Sequence, residues 1–151
     1  IWESLAICEY VAERFANHLW PADIAVRAIA RSICAEMHAG FQNLRKNMPM
    51  DCRNRYPGEG MTPATEAEID RIIAIWRDCR QTFGSGGNML FGNFTVADAM
   101  FAPVVMRFVT YEVKLHSEAK AYAEAILTLP AMQEWLAAAC SESESIAHFK
   151  M

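Results

Sequence analysis

The sequence has 151 residues, which excludes a two-domain enzyme of ordinary size and fits one domain, or one domain with part of another. Hydrophobic types make up 53% and charged types 21%, too apolar and too weakly charged for a disordered chain, so a proper core is expected. Lys and Arg number 14 against 18 Asp and Glu, and a formal charge of -4 leaves no basic excess to hold nucleic acid.

The chain opens on Ile1-Trp2-Glu3-Ser4-Leu5-Ala6-Ile7 without an initiator Met and reads as if cut from something longer. Ser4 is a good N-cap, and Ile7, Val11 and Phe15 recur at i, i+4, i+8, which predicts a first helix ending near Asn17 with Glu9, Glu13 and Arg14 in solvent. Pro21 opens a long second helix over residues 22–47, with Ile29, Ile33, Met37, Leu44 and Met48 on one stripe and Pro49 as its stop. Residues 50–62 have no period and contain two glycines and a proline, the pattern of a surface loop. Pro63, with Thr65 and Glu68 spaced as a capping box, begins a third helix whose stripe is Ile69, Ile72, Ile73, Trp76 and Phe83, and Gly84 supplies a left-handed stop. Gly84-Ser85-Gly86-Gly87 lacks both the following Gly-Lys-Ser/Thr and a preceding strand, so it reads as a turn and not as a phosphate loop.

Thr95-Val96-Ala97-Asp98 is a second capping box, with Phe94 placed to staple onto the first turn. The helix it opens, residues 96–111, is apolar nearly all round and is the expected buried centre, with a kink at Pro103. Asp98 reads as a cap, not a catalytic acid. Segments 117–127 and 131–139 complete the set, hinged at Leu129-Pro130, and no stretch alternates long enough to argue a strand. The expected fold is all-α.

No apolar run reaches the roughly 18 residues that span a bilayer, so no membrane association and no signal peptide are expected. The cysteines Cys8, Cys34, Cys52, Cys79 and Cys140 are odd in number and far apart, and read as reduced thiols of a cytoplasmic protein. His18, His38, His116 and His148 are too scattered for a metal site, and none is expected.

Several pieces together carry a family resemblance. Glu3-Ser4-Leu5-Ala6-Ile7 with Tyr10 resembles the last helix of the thioredoxin-like domain of a glutathione S-transferase. Leu19-Trp20-Pro21, Leu90-Phe91-Gly92 with Phe94-Thr95-Val96-Ala97-Asp98, and Leu129-Pro130 with Trp135 resemble the helical C-terminal domain of that family. Glu36-Met37-His38-Ala39-Gly40-Phe41 is similar to the Glu-x-His-x-Gly-Phe run of bacterial, beta-class-like transferases. The resemblance implies a helical bundle of the C-terminal type over residues 20–151, preceded in 1–19 by the last helix of the glutathione-binding domain.

It also implies roles. A helix N-terminus offers unpaired amides and a positive dipole end to a carboxylate, and Ser4 adds a hydroxyl. Glu3 is free to hold an ammonium, so the pair matches both charges of the γ-glutamyl head of glutathione. On the residues alone, Glu3-Ser4 reads first as a plain N-cap beside an exposed acid. His38 alone reads as a half-buried histidine with one satisfied nitrogen; by similarity it lies near the glutathione sulfur, as an auxiliary catalytic group. Phe41, Arg45, Arg107, Phe108 and Tyr111 are then expected to line the mouth that receives a small hydrophobic electrophile, although each also reads as core or surface. The family's thiolate-stabilising Tyr, Ser or Cys belongs to the thioredoxin-like domain and has no counterpart here, so this chain alone is expected to be inactive. Glutathione as co-substrate and a homodimer are implied. The competing reading is a non-catalytic helical interaction or dimerisation module derived from such an enzyme.

Overall fold

The computed structural model describes residues 1–15 and 17–144. His148 and the end of the expected 20–151 domain lie outside the described residues. The described elements are α1 (Ser4–Arg14), a 3-10 turn (Asn17–Leu19), α2 (Ile24–Ala39), α3 (Gln42–Asn47), α4 (Pro63–Phe83), α5 (Val96–Thr110), α6 (Ser117–Leu127) and α7 (Pro130–Ser141). The architecture is all-α. The only β-type pairing among them is two isolated bridges, Met89 with Gly92 and Phe91 with Asn93.

The bundle is built around α5, which packs on both α2 and α6, while α4 packs on α3 and α6. At the centre Trp76 of α4 meets Phe101 and Phe108 of α5 and Tyr122 of α6, with ring centroids 6.0, 5.4 and 4.9 Å away. Such edge and tilted aromatic pairs add about 1 kcal/mol each beyond the area they bury. The expectation that α5 forms the buried centre holds. It runs unbroken through Pro103, which sits exposed, so the carbonyl of Ala99 that loses its helical donor is also on the exposed side.

Asp98 is fully buried and acts structurally. One oxygen accepts the backbone N–H (2.8 Å) and hydroxyl (3.0 Å) of Thr95, closing the capping box, and the other accepts the N–H of Leu90 (3.0 Å). It thereby fastens the 84–95 loop onto the start of α5. Burial pushes its carboxyl above the usual range, and these three donors oppose that shift.

Four local expectations change. The long second helix is two helices, because Gly40 leaves helical geometry and Phe41 takes a left-handed backbone at φ 59°. A Cβ on Gly40 would stand 2.7 Å from the carbonyl oxygen of Glu36, so the chain turns where only glycine fits. The stripe survives the break, since Ile33, Met37, Leu44 and Met48 are all buried, but Ile29 faces out. The caps of α4 also differ: Thr62 is its N-cap, accepting from the N–H of Thr65 at 3.2 Å, whereas Glu68 reaches across to the N-terminus of α3. Gly84 ends α4 at φ -78°, not in the left-handed region.

The fourth change concerns α1. Its inner face is Leu5, Cys8 and Ala12, leaving Ile7 43% and Phe15 71% exposed, so the expected stripe points outward. Glu9, expected in solvent, instead holds α1 to α2. It accepts from Arg31 Nε (2.8 Å) and Nη2 (3.0 Å) and from the indole N–H of Trp20 (3.1 Å). No described helix is long and apolar enough to cross a membrane.

Candidate functional site

Three of the residues singled out in the sequence meet at the start of α1. Ser4 is the first residue of that helix, not its cap; Glu3 holds the N-cap position without a side-chain cap bond. The first helical bond is Ile7 N–H to the carbonyl of Glu3 (2.9 Å), so the amides of Ser4, Leu5 and Ala6 have no partner within the helix. Glu3 itself sits at φ 70°, a conformation that costs a non-glycine residue about 1–3 kcal/mol and tends to persist where surrounding structure or function demands it.

In this conformation the Glu3 carboxylate lies 3.0 Å from Nε2 of His38, near the C-terminus of α2, and Nδ1 of the same ring lies 3.4 Å from the Ser4 hydroxyl. A ring carrying its proton on Nε2 donates there to the carboxylate and can accept from Ser4 at Nδ1. His38 and Glu3 are 38% and 61% exposed at their side chains, so the cluster is open to a ligand. It offers a carboxylate for a cation, a hydroxyl and free helix amides for an anion, and an imidazole between them.

The other five residues are not brought to this cluster as an open mouth. Phe41 is buried at the α2–α3 break. Arg45 donates through Nε to the carbonyl of Gly40 (3.1 Å) and through Nη2 to that of Met37, closing the C-terminus of α2, where a cation complements the helix dipole. Arg107 donates to the carbonyls of Met48 (3.0 Å) and Pro103 (3.1 Å), and its guanidinium is held below its ordinary range by burial and by the nearby charge of Arg45. Phe108 packs on Trp76 inside the core. Tyr111 is fully buried, stacks near Tyr56 at 5.8 Å and donates its hydroxyl to the carbonyl of Pro49 at 3.1 Å. Burial pushes its phenol up to about 12. Arg45, Arg107 and Tyr111 thus hold the 40–58 segment in place.

A groove of about 350 Å³ lies elsewhere, between α5, the 112–115 connection and α6, and Phe108 contributes to its wall. Its lining is mostly aliphatic, with Lys and Glu side chains of both signs at the edge and no convergent set of polar groups. The cluster at α1 does bring a carboxylate, a hydroxyl and an imidazole together.

Residues 62–138, about half of the chain, match the family model described as glutathione S-transferase, C-terminal domain. The chain belongs to the glutathione S-transferase family. The match covers α4 to α6 and most of α7, and leaves Glu3, Ser4 and His38 of this family member outside it. In fold, the chain is similar to the crystal structure of a glutathione transferase homolog from Burkholderia GL BGR1 with bound glutathione. That likeness has a TM-score of 0.65 and 21% identity, and covers 94% of this chain and 68% of that one. At this identity it speaks for the fold. No curated protein matches the sequence.

Proposed function

We propose that this chain is the helical part of a cytoplasmic, homodimeric glutathione S-transferase that conjugates glutathione to small hydrophobic electrophiles. In this reading residues 1–19 are the last helix of a thioredoxin-like glutathione-binding domain, and 20–151 are the C-terminal domain. The observation that carries it is the meeting of Glu3, Ser4 and His38 at the uncapped start of α1. The Glu3 carboxylate holds the ammonium of the γ-glutamyl head, while the Ser4 hydroxyl and the α1 amides hold its carboxylate. His38, by similarity to the bacterial enzymes, is the auxiliary group that positions or polarises the thiol. Conjugation forms a carbon–sulfur bond when the glutathione thiolate attacks the electrophile and its leaving group departs, and holding both reactants together accounts for the acceleration.

The family membership and the glutathione held by the Burkholderia homolog support this reading. So does the outward apolar face of α1, with Trp2 82% and Tyr10 45% exposed beside Ile7 and Phe15, a surface suited to cover by the rest of that domain and by the partner subunit. The residue that stabilises the thiolate belongs to that same domain in the family.

The test is to join this chain to a thioredoxin-like half, or read it from the coding frame, and measure loss of glutathione thiol with an aryl halide. Conjugation that Glu3→Ala and Ser4→Ala weaken at the level of glutathione KM supports the enzyme. Absence of both conjugation and glutathione binding in the joined protein favours the non-catalytic module.

A further inference from the structure

The end of α7 and the residues after it meet the 50–62 loop through polar contacts. Arg53 donates to the carbonyls of Glu142 (2.8 Å) and Glu144 (3.2 Å). Asp51 shapes the loop beneath by accepting the N–H groups of Arg53 (2.8 Å) and Asn54 (3.1 Å). Of α7 itself only Met132 is buried, so its last turn has little apolar packing to hold it. In this contact two cysteines 88 positions apart come together: the Cys140 thiol points at the carbonyl of Cys52, with Sγ 3.8 Å from that oxygen.

We propose that Cys52 and Cys140 are a redox modification site, closing a reversible disulfide that pins the end of α7 to the 50–62 loop. The other thiols are unsuited. Cys34 and Cys79 are buried in the core, where desolvation pushes them up to about 12 and about 11, and Cys8 lies on α1 against α2. Cys140 is exposed and Cys52 half-buried, so an oxidant reaches Cys140 first. Burial and the Asp51 carboxylate raise the Cys52 thiol, and the guanidinium groups of Arg55 and Arg53 offset part of that, so Cys52 is a slow first nucleophile and its part is the intramolecular second step, where the mixed disulfide is held beside it.

The oxidant is a low-molecular-weight disulfide such as glutathione disulfide. The Cys140 thiolate attacks one of its sulfurs, forming a mixed disulfide and releasing one glutathione thiolate. The Cys52 thiolate then attacks Sγ of Cys140, forming the protein disulfide and releasing the second. Two protein thiols lose two electrons and two protons, and one glutathione disulfide becomes two glutathione molecules. Cys140 lies in the last turn of α7 and Cys52 in a loop, where the backbone can adjust to the geometry a disulfide requires.

The experiment treats the 151-residue chain with glutathione disulfide and reads intact mass, crosslinked peptides and melting temperature. The expected product is a monomer lighter by two hydrogens, carrying a Cys52–Cys140 peptide pair and melting about 5 °C or more higher, because the bond closes a long loop. Reduced glutathione in excess reverses it, and Cys8→Ser leaves it unchanged. Cys52→Ser stops the reaction at one glutathionyl group on Cys140. A wild-type chain that keeps a stable glutathionyl group on Cys140, pairs any other two cysteines, or crosslinks between chains overturns the proposal.

Discussion

The carboxylate of Glu3 lies 3.0 Å from Nε2 of His38, across the junction of α1 and α2. Both groups are partly exposed, so the contact contributes little to stability and is free to be exchanged for a ligand. If Glu3 holds the ammonium of glutathione, Glu3→Gln removes a charge-assisted bond made equally to substrate and transition state. In the protein joined to its glutathione-binding half, the glutathione KM is expected to rise about tenfold with kcat changed much less. An equal fall in kcat without a change in KM would contradict this role.

Asp98 is the opposite case, a carboxylate with no exposure and three donors. Asp98→Ala leaves the amides of Leu90 and Thr95 unpaired inside the protein, and is expected to cost about 3 kcal/mol, well above an ordinary cap. Chemical denaturation reads this directly. An unchanged midpoint and melting temperature would refute the structural assignment.

Glu68 of α4 caps a different helix, taking the N–H of Leu44 at 2.7 Å and both the N–H and side-chain amide of Asn43 at 3.2 and 2.8 Å. A negative charge on the first turn of α3 also meets the positive end of its dipole. Glu68→Ala is expected to cost about 1–2 kcal/mol and to speed hydrogen exchange at the Asn43 and Leu44 amides before those of α4. Uniform acceleration along α4 would show that the residue supports its own helix instead.

Local signals carried much of this fold. The bounds of α6 and the cap of α5 follow from residues adjacent in sequence, and the structure keeps both. What the sequence hid depends on distant partners. Periodicity ran straight through Gly40-Phe41 because α3 resumes with Leu44 and Met48 on the same buried side; the glycine was the available signal. The face of α1 was misread because Ile7 and Phe15 are larger than Cys8 and Ala12, while packing on α2 selected the smaller residues. The anchoring of Arg107 and Tyr111 was hidden because their partners, the carbonyls of Met48 and Pro49, lie some 60 positions away. The family pattern singled out Glu3, Ser4 and His38 separately, but the contacts among them require α1 to lie on α2.

The junction that sets those contacts is itself pH-sensitive. Arg31 beside Glu9 holds that carboxyl below its ordinary value near 4.5, against a smaller opposing effect of burial. A carboxyl whose folded value is depressed stabilises the fold fully above its unfolded value and loses that contribution as pH falls through the folded one. Glu9→Gln keeps an acceptor for Trp20 and Arg31 but removes the charge. Because the pair is partly exposed, with Arg31 50% and Glu9 33% accessible, the variant is expected to be less stable by about 1 kcal/mol or less at pH 7. The difference should begin to shrink as pH falls through the ordinary carboxyl range and vanish only below the depressed folded value, where the wild-type carboxyl is also neutral. Denaturation midpoints of the two proteins across that range test it, and a gap that stays constant with pH would mean that geometry, not charge, makes Glu9 the tie between α1 and α2.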